Sequence, residues 1–254
     1  MINLVLLGSG NVATHLYRAF SASEKVKVIQ VYNHTTNGLT AFEGKTPLTT
    51  SLEELAEADV YLLALKDDVI AGVAKTLERK KGLLAHTSGA VSLSAIEGCP
   101  RPGVFYPLQT FSRDKKVNYS EIPFCLEAKN PDDLALLKTM AGEISRKAYE
   151  ISSAQRKKLH LSAVFVCNFV NHLYTIGESI CEENKIPFEI LQPLIQETAN
   201  KVRTSSPSEV QTGPAIRYDE STIQAHLELL KDRDNKEIYQ TLTKAIQNFH
   251  GKKL

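Results

Sequence analysis

The chain has 254 residues, 43% hydrophobic and 23% charged, with 30 Lys and Arg against 29 Asp and Glu for a formal net charge of +1. That length can bury a substantial core without disulfides or metals, and the balanced, interspersed charge offers no footprint for nucleic acid. Cys99, Cys125, Cys167 and Cys181 are scattered without a Cys-x-x-Cys pair, so they read as reduced, mostly buried thiols rather than a zinc knuckle or redox motif.

Ile2–Leu7 is an apolar run that closes on Gly8-Ser9-Gly10, after which Val12, Leu16 and Phe20 recur at helical spacing. This predicts a strand, a tight turn and a helix. The opening lacks the zones of a signal peptide, and no run approaches the roughly 20 apolar residues of a membrane span, so a cytoplasmic chain with no membrane partner is expected. Val26–Tyr32 is rich in β-branched residues and runs into the turn formers of 33–38, which closes a β-α-β unit. Ser51 with Glu54 matches a capping box opening a short helix, residues 60–65 read as a buried strand, and 69–79 return as helix. Residues 82–86 form a further strand ending at Thr87-Ser88-Gly89, with later strands at 104–106 and 122–126. Strands alternating with helices predict an α/β fold with a doubly wound parallel sheet.

From Ile151 the pattern changes, because Ser152 with Gln155 can cap a helix running through Phe165 and Tyr174 to Glu183, before Asn184 and Pro187 stop it. Residues 188–202, 221–231 and 236–249 read as further helices, and 204–219 as a loop. Residues 1–150 therefore form a Rossmann-type domain and 151–254 an all-α domain.

In Gly8-x-Gly10-x-x-Ala13 the first glycine permits a tight turn, the second lets backbone approach a pyrophosphate, and Ala13 allows close helix packing. Ser9, Asn11 and Val12 complete this loop, and the helix start near Asn11 presents N–H groups and a positive dipole end to phosphates. The end of the second strand carries Asn33, His34 and Thr35 where an NAD site has an acid for the ribose, so neutral donors there favour NADP. A simple turn is the alternative use of these residues.

Ligands of such sheets gather at the carboxyl ends of strands, which brings Leu65, Lys66, His86 and Ser88 to the cofactor. His86 can exchange the proton that accompanies hydride transfer, and Thr87 and Ser88 can hold a carbonyl or the nicotinamide amide; a packed, backbone-bonded histidine is the other reading of His86. On the long helix His160, Val164 and Asn168 recur at four-residue steps, with Asn168 near His172, as a polar stripe facing either the substrate or another helix. Phe165 and Phe169 read as core. Arg217 can grip a substrate carboxylate or phosphate, with Arg101 and Arg113 as weaker candidates for that task, while Asp219 caps the next helix. The charges of 231–237 form a solvated face, and no metal site is expected because the histidines lack His-x-x-x-His spacing with a nearby carboxylate.

Gly8-Ser9-Gly10-Asn11-Val12-Ala13 resembles the opening of pyrroline-5-carboxylate reductases and the wider 6-phosphogluconate dehydrogenase-like superfamily. With His86-Thr87-Ser88-Gly89, Tyr106-Pro107-Leu108-Gln109-Thr110-Phe111, residues 160–168, and the run from Thr212 to Asp219 leading to His226, the chain resembles more closely a family of bacterial NADP oxidoreductases. These join a Rossmann-like domain to a helical C-terminal domain of unknown function. The resemblance implies NADP as cofactor, a small-molecule carbonyl or imine substrate covered by the helical domain, and a homodimer through that domain. The reductases' Ser-Gly-Ser-Gly-Pro-Ala signature is missing, with Leu161-Ser162-Ala163-Val164-Phe165 in its place, and neither Lys157 with Leu161 nor Lys158 with Ser162 reproduces the Lys–Asn pair of the hydroxyacid dehydrogenases. Two rivals remain: a non-catalytic NADP-binding or sensing protein, and an S-adenosylmethionine-dependent transferase, against which stands the absence of an acid after the second strand.

Overall fold

A computed structural model describes residues 1–251. The chain divides into two compact units, Met1–Asn168 and the remainder from Phe169.

The first unit is built on an eight-stranded sheet, and its strands in chain order are β1 (Ile2–Leu7), β2 (Val26–Tyr32), β3 (Leu48–Thr49), β4 (Val60–Leu63), β5 (Leu83–His86), β6 (Pro102–Pro107), β7 (Phe124–Ala128) and β8 (Ala148–Glu150). They lie in the order β3-β2-β1-β4-β5-β6-β7-β8. Strands β1 to β6 run parallel, so the Rossmann expectation holds through them, but β7 pairs antiparallel with β6 and β8 parallel with β7. A wholly parallel sheet is thus corrected at its far edge. The helices of this unit are α1 (Asn11–Phe20), α2 (Asp67–Thr76), α3 (Pro131–Gly142) and α4 (Ser153–Ala163).

Because successive strand side chains point to opposite faces, each central strand feeds two cores. Leu4, Leu6, Val60, Leu62 and Ala85 pack on one face with Ala13, Leu16 and Phe20 of α1 and Leu137 and Met140 of α3. Val5, Leu7, Tyr61, Leu63 and Leu84 pack on the other with Ile70 and Ala74 of α2. The apolar runs Leu4–Leu7 of β1 and Val60–Leu63 of β4 follow from this double burial, and truncating fully buried Leu62 to Ala should cost about 2–5 kcal/mol. The sheet order turns back between β1 and β4, and the crevice outside their carboxyl ends is where a parallel sheet of this kind receives a ligand.

One local expectation fails here. Ser51 and Glu54 open no helix, because the Glu54 carboxylate takes the Thr49 hydroxyl at 2.7 Å instead of the cap backbone. A 3₁₀ segment, Thr36–Phe42, follows the turn after β2. No element is assigned from the sequence to α3 and β8; Asn130 caps α3 by accepting from the Asp133 amide, and Pro131 occupies its first turn.

Ser152 and Gln155 do form a reciprocal capping box at α4. The helix then passes through a π-helical turn, Val164–Phe169, into α5 (Val170–Glu183). Taken together Ser153–Glu183 spans 31 residues with a mean hydropathy of 1.2 in its most apolar window, long and apolar enough by composition to cross a membrane, which corrects the expectation that no such run exists. Asn168, Asn171 and His172 place exposed polar groups within it. The second unit continues with α6 (Gln192–Lys201), α7 (Glu220–Leu229), which Asp219 caps by accepting from Thr222, and α8 (Arg233–His250). Residues 188–191 form a 3₁₀ turn rather than the start of α6.

Candidate cofactor and active site

The turn between β1 and α1 is shaped by its glycines. Gly8 sits at φ +118°, and a Cβ there would strike the Ala64 carbonyl at the end of β4. Gly10 stands at the cap position of α1 with no side-chain cap, and a Cβ built on it would meet nothing within 4 Å. The first-turn N–H groups of α1, at Asn11 and Val12, thus receive no oxygen from a capping side chain. Ala13 is fully buried against the sheet. A cradle that a side chain would fill, walled by helix N–H donors, fits the pyrophosphate of a dinucleotide.

Beside it, the Asn33 amide nitrogen donates to the Thr35 carbonyl at 2.9 Å and to the Thr35 hydroxyl at 3.0 Å. Asn33 is also buried, which favours the reading of this segment as a simple turn at that position. His34 and Thr35 are exposed, and no acid stands between Asn33 and Phe42. Gly38 brings this segment against the loop, since a Cβ on it would lie 2.6 Å from the Ser9 hydroxyl. Leu65 lies alongside Gly8, and Lys66 is exposed at the cap of α2.

One feature of this site was invisible to sequence reasoning. Asn11, His15 and Arg18 share a face of α1, and they hold three consecutive backbone carbonyls of a distant loop: Asn11 Nδ2 donates to Phe111 at 2.9 Å, His15 Nε2 to Ser112 at 2.9 Å, and Arg18 Nη1 to Arg113 at 2.7 Å. The carbonyl fixes the His15 tautomer with its proton on Nε2, leaving Nδ1 for the Tyr119 hydroxyl at 3.0 Å, and the ring lies 4.8 Å from that of Phe111. From this strap the Arg113 side chain reaches back to the cofactor turn, where Nη2 donates to the Ser9 carbonyl at 2.9 Å.

At the end of β5, His86 is fully buried. Its Nδ1 accepts from the Ser88 amide at 3.2 Å, so its proton sits on Nε2, which has no hydrogen bond of normal geometry. Burial foremost, and then the Arg156 guanidinium, push its pKa down to about 4. This burial and low pKa favour the packed, backbone-bonded reading of His86 over the catalytic one. Ser88 Oγ accepts from the amides of Ala90 and Val91, shaping the loop after β5. That loop is pinned from α4: Arg156, fully buried, pairs with Glu127 of β7 and donates to the Val91 carbonyl at 2.6 Å, while Ser153 donates to Glu127 and accepts from the Leu93 amide. Burial raises the Glu127 pKa, but the hydrogen bonds from Ser153 and Arg156 outweigh it and hold the carboxylate ionised below its ordinary range. Arg101 is likewise committed, to buried Asp133.

The solvent side of this loop carries a second pair. His160 of α4 and Tyr106 of β6 lie with Nδ1 and the hydroxyl 3.2 Å apart and rings edge to face. A Cβ on Gly89 would fall 2.7 Å from His160 Nδ1 and 2.8 Å from the Tyr106 ring, so only glycine lets the loop lie against the pair. Burial pushes the Tyr106 pKa up to about 12, which keeps it a phenol. Tyr106 was visible in the sequence only as part of a motif; nothing local marked it as the partner of a residue 54 positions away.

The remaining candidates stand as follows. Val164–Phe169 is π-helical, and Asn168 within it is exposed while His160 is half-buried. Phe165 and Phe169 are 59% and 51% exposed rather than core. Arg217 belongs to the second unit, with its guanidinium 62% exposed and 4.0 Å from Asp219. Among the described residues no three His, Cys, Asp or Glu side chains are arranged to hold a metal.

Residues 3–88 match a family model described as NADP oxidoreductase, coenzyme F420-dependent, and residues 122–246 match a domain of unknown function, DUF2520. No curated protein matches the chain. Among solved structures, a Bacteroides fragilis protein described as a "putative NADP oxidoreductase" is 39% identical over 97% of this chain and 98% of its own, with a TM-score of 0.90. Protein TM1727 of Thermotoga maritima is 20% identical over 98% of this chain and 99% of its own, with a TM-score of 0.72. A Plasmodium falciparum pyrroline carboxylate reductase with NADP bound is 16% identical over 97% and 98%, with a TM-score of 0.59; at such identities the likeness is one of fold.

Proposed function

Because the chain belongs to the NADP oxidoreductase family that joins a Rossmann domain to the helical domain of unknown function, we propose that it transfers a hydride between NADP(H) and a small carbonyl or imine. The observation that carries this is the turn itself: Gly8 is locked against β4 at positive φ, and Gly10 opens onto the uncapped start of α1. Bound there, the nicotinamide supplies the hydride chemistry. His34 and Thr35, with no acid at the end of β2, favour NADP over NAD. The half-buried pair of His160 and Tyr106 is the group placed to hold or deliver a proton, and His86 and Ser88 shape the loop beneath it. On this reading residues 1–150 hold the cofactor, and residues 151–254 serve the substrate and a homodimer in the cytoplasm. Ile190, Leu194, Val202 and Leu229, each about half or more exposed, form apolar surface on the helical unit for a second copy to cover.

Calorimetric titration of nucleotide-stripped protein with NADPH, NADH and S-adenosylmethionine, repeated on Gly10→Glu, tests the cofactor. NADPH binding that the variant abolishes supports the reading and opens a screen of carbonyls and imines. Tight NADPH binding with no reduction across that screen would favour a sensor, and binding of none of the three refutes the nucleotide site.

A further inference from the structure

The sequence offers no cation at the dinucleotide turn, yet the fold delivers one from about 100 residues away. Resting on the cofactor reading above, we propose that Arg113 is a phosphate-binding residue for the dinucleotide. Its backbone is fastened to α1: the carbonyls of Phe111, Ser112 and Arg113 are taken in succession by Asn11, His15 and Arg18. Its side chain then doubles back along the helix to the start of α1, where one of its five N–H donors is placed on the Ser9 carbonyl. Ser9 lies between the two glycines of the turn, and its hydroxyl borders the segment around Gly38 that follows β2.

A guanidinium tethered this way has three useful properties. It is exposed, so its other donors are open to a ligand. It has no carboxylate partner among the ion pairs of the described residues, whereas Arg101 and Arg156 are each paired with a buried or half-buried acid. It also stands at the positive end of a helix that carries no acid in its first turn, an arrangement that repels cations and is relieved by a bound anion. A planar fork beside backbone N–H donors matches a phosphate, either the pyrophosphate or the ribose phosphate that distinguishes NADP from NAD.

The test is affinity, which needs no substrate. Dissociation constants for NADPH and NADH are measured by calorimetry on wild type, Arg113→Ala and Arg113→Lys, at two salt concentrations, with melting temperatures recorded alongside. Arg113→Ala should weaken NADPH binding about tenfold to a hundredfold and flatten its salt dependence, with little change in melting temperature, and Arg113→Lys should recover part of the loss. Loss for NADPH alone assigns the ribose phosphate; loss for both nucleotides assigns the pyrophosphate. Wild-type affinity for both nucleotides in Arg113→Ala overturns the proposal while leaving the cofactor site standing. Failure of the wild-type chain to bind either nucleotide instead removes the reading on which it rests.

Discussion

Replacing His86 with Asn should flatten the acid limb of the stability curve. His86 is fully buried, and burial with the nearby Arg156 charge holds its folded pKa at about 4 against an ordinary 6.5. Between those values the unfolded chain binds a proton that the folded chain refuses, so stability rises with pH across this window. The contribution is complete above about 6.5 and is lost as pH falls toward 4. A separation of that size corresponds to about 3 kcal/mol, a large share of the stability of a typical domain. Asn can still accept from the Ser88 amide as Nδ1 does, and its smaller volume adds a loss that does not vary with pH. The assay is urea unfolding of wild type and His86→Asn at half-unit steps from pH 7.5 to 4.5, comparing slopes rather than absolute stabilities. Glu127 titrates in both proteins and cancels. Parallel profiles, or a His86 ring resonance titrating near 6.5, would refute the account of a neutral buried imidazole.

Arg156→Ala should cost about 3–5 kcal/mol, read as a large fall in melting temperature, because it leaves Glu127 partly buried without its cation. Gly8→Ala should lose about 1–3 kcal/mol to backbone strain alone, with more from the clash on Ala64, and should abolish NADPH binding by calorimetry. Gly89→Ala should drive His160 from Tyr106, seen as a shift of the His160 ring resonances, while NADPH affinity changes less than about threefold because the cofactor turn is untouched.

What could be read from the sequence was local. Gly8, Gly10 and Ala13 declare the turn because their spacing within one strand-turn-helix unit carries the whole geometric requirement. Doubly buried strands such as Val60–Leu63 announce themselves as unbroken apolar runs. Strand direction is not written in such runs, so the reversal at β7 was hidden in a connection of no regular pattern. Ser51 and Glu54 had the composition of a cap, but a competing hydroxyl at Thr49 took the carboxylate. The π turn hides in an ordinary helical sequence and shifts the faces of the helix that follow it. Tyr106 and Arg113 gain meaning only from partners at His160 and Ser9, and Arg156 from Glu127. His86 could not be told from a catalytic histidine until its burial was known.

The fastening of residues 111–113 onto α1 also dictates an order of assembly. Its hydrogen bonds close loops of 95 to 100 residues, whereas the β1-α1-β2 unit that forms the glycine turn is complete by Tyr32. Asn11, His15 and Arg18 come into line only once α1 is helical, and the strap leaves the end of β6, which reaches β1 only through β5 and β4. Newly made chain emerging from the ribosome would therefore own its dinucleotide turn early and acquire the arginine above it late, so that nucleotide capture matures in two stages as synthesis proceeds.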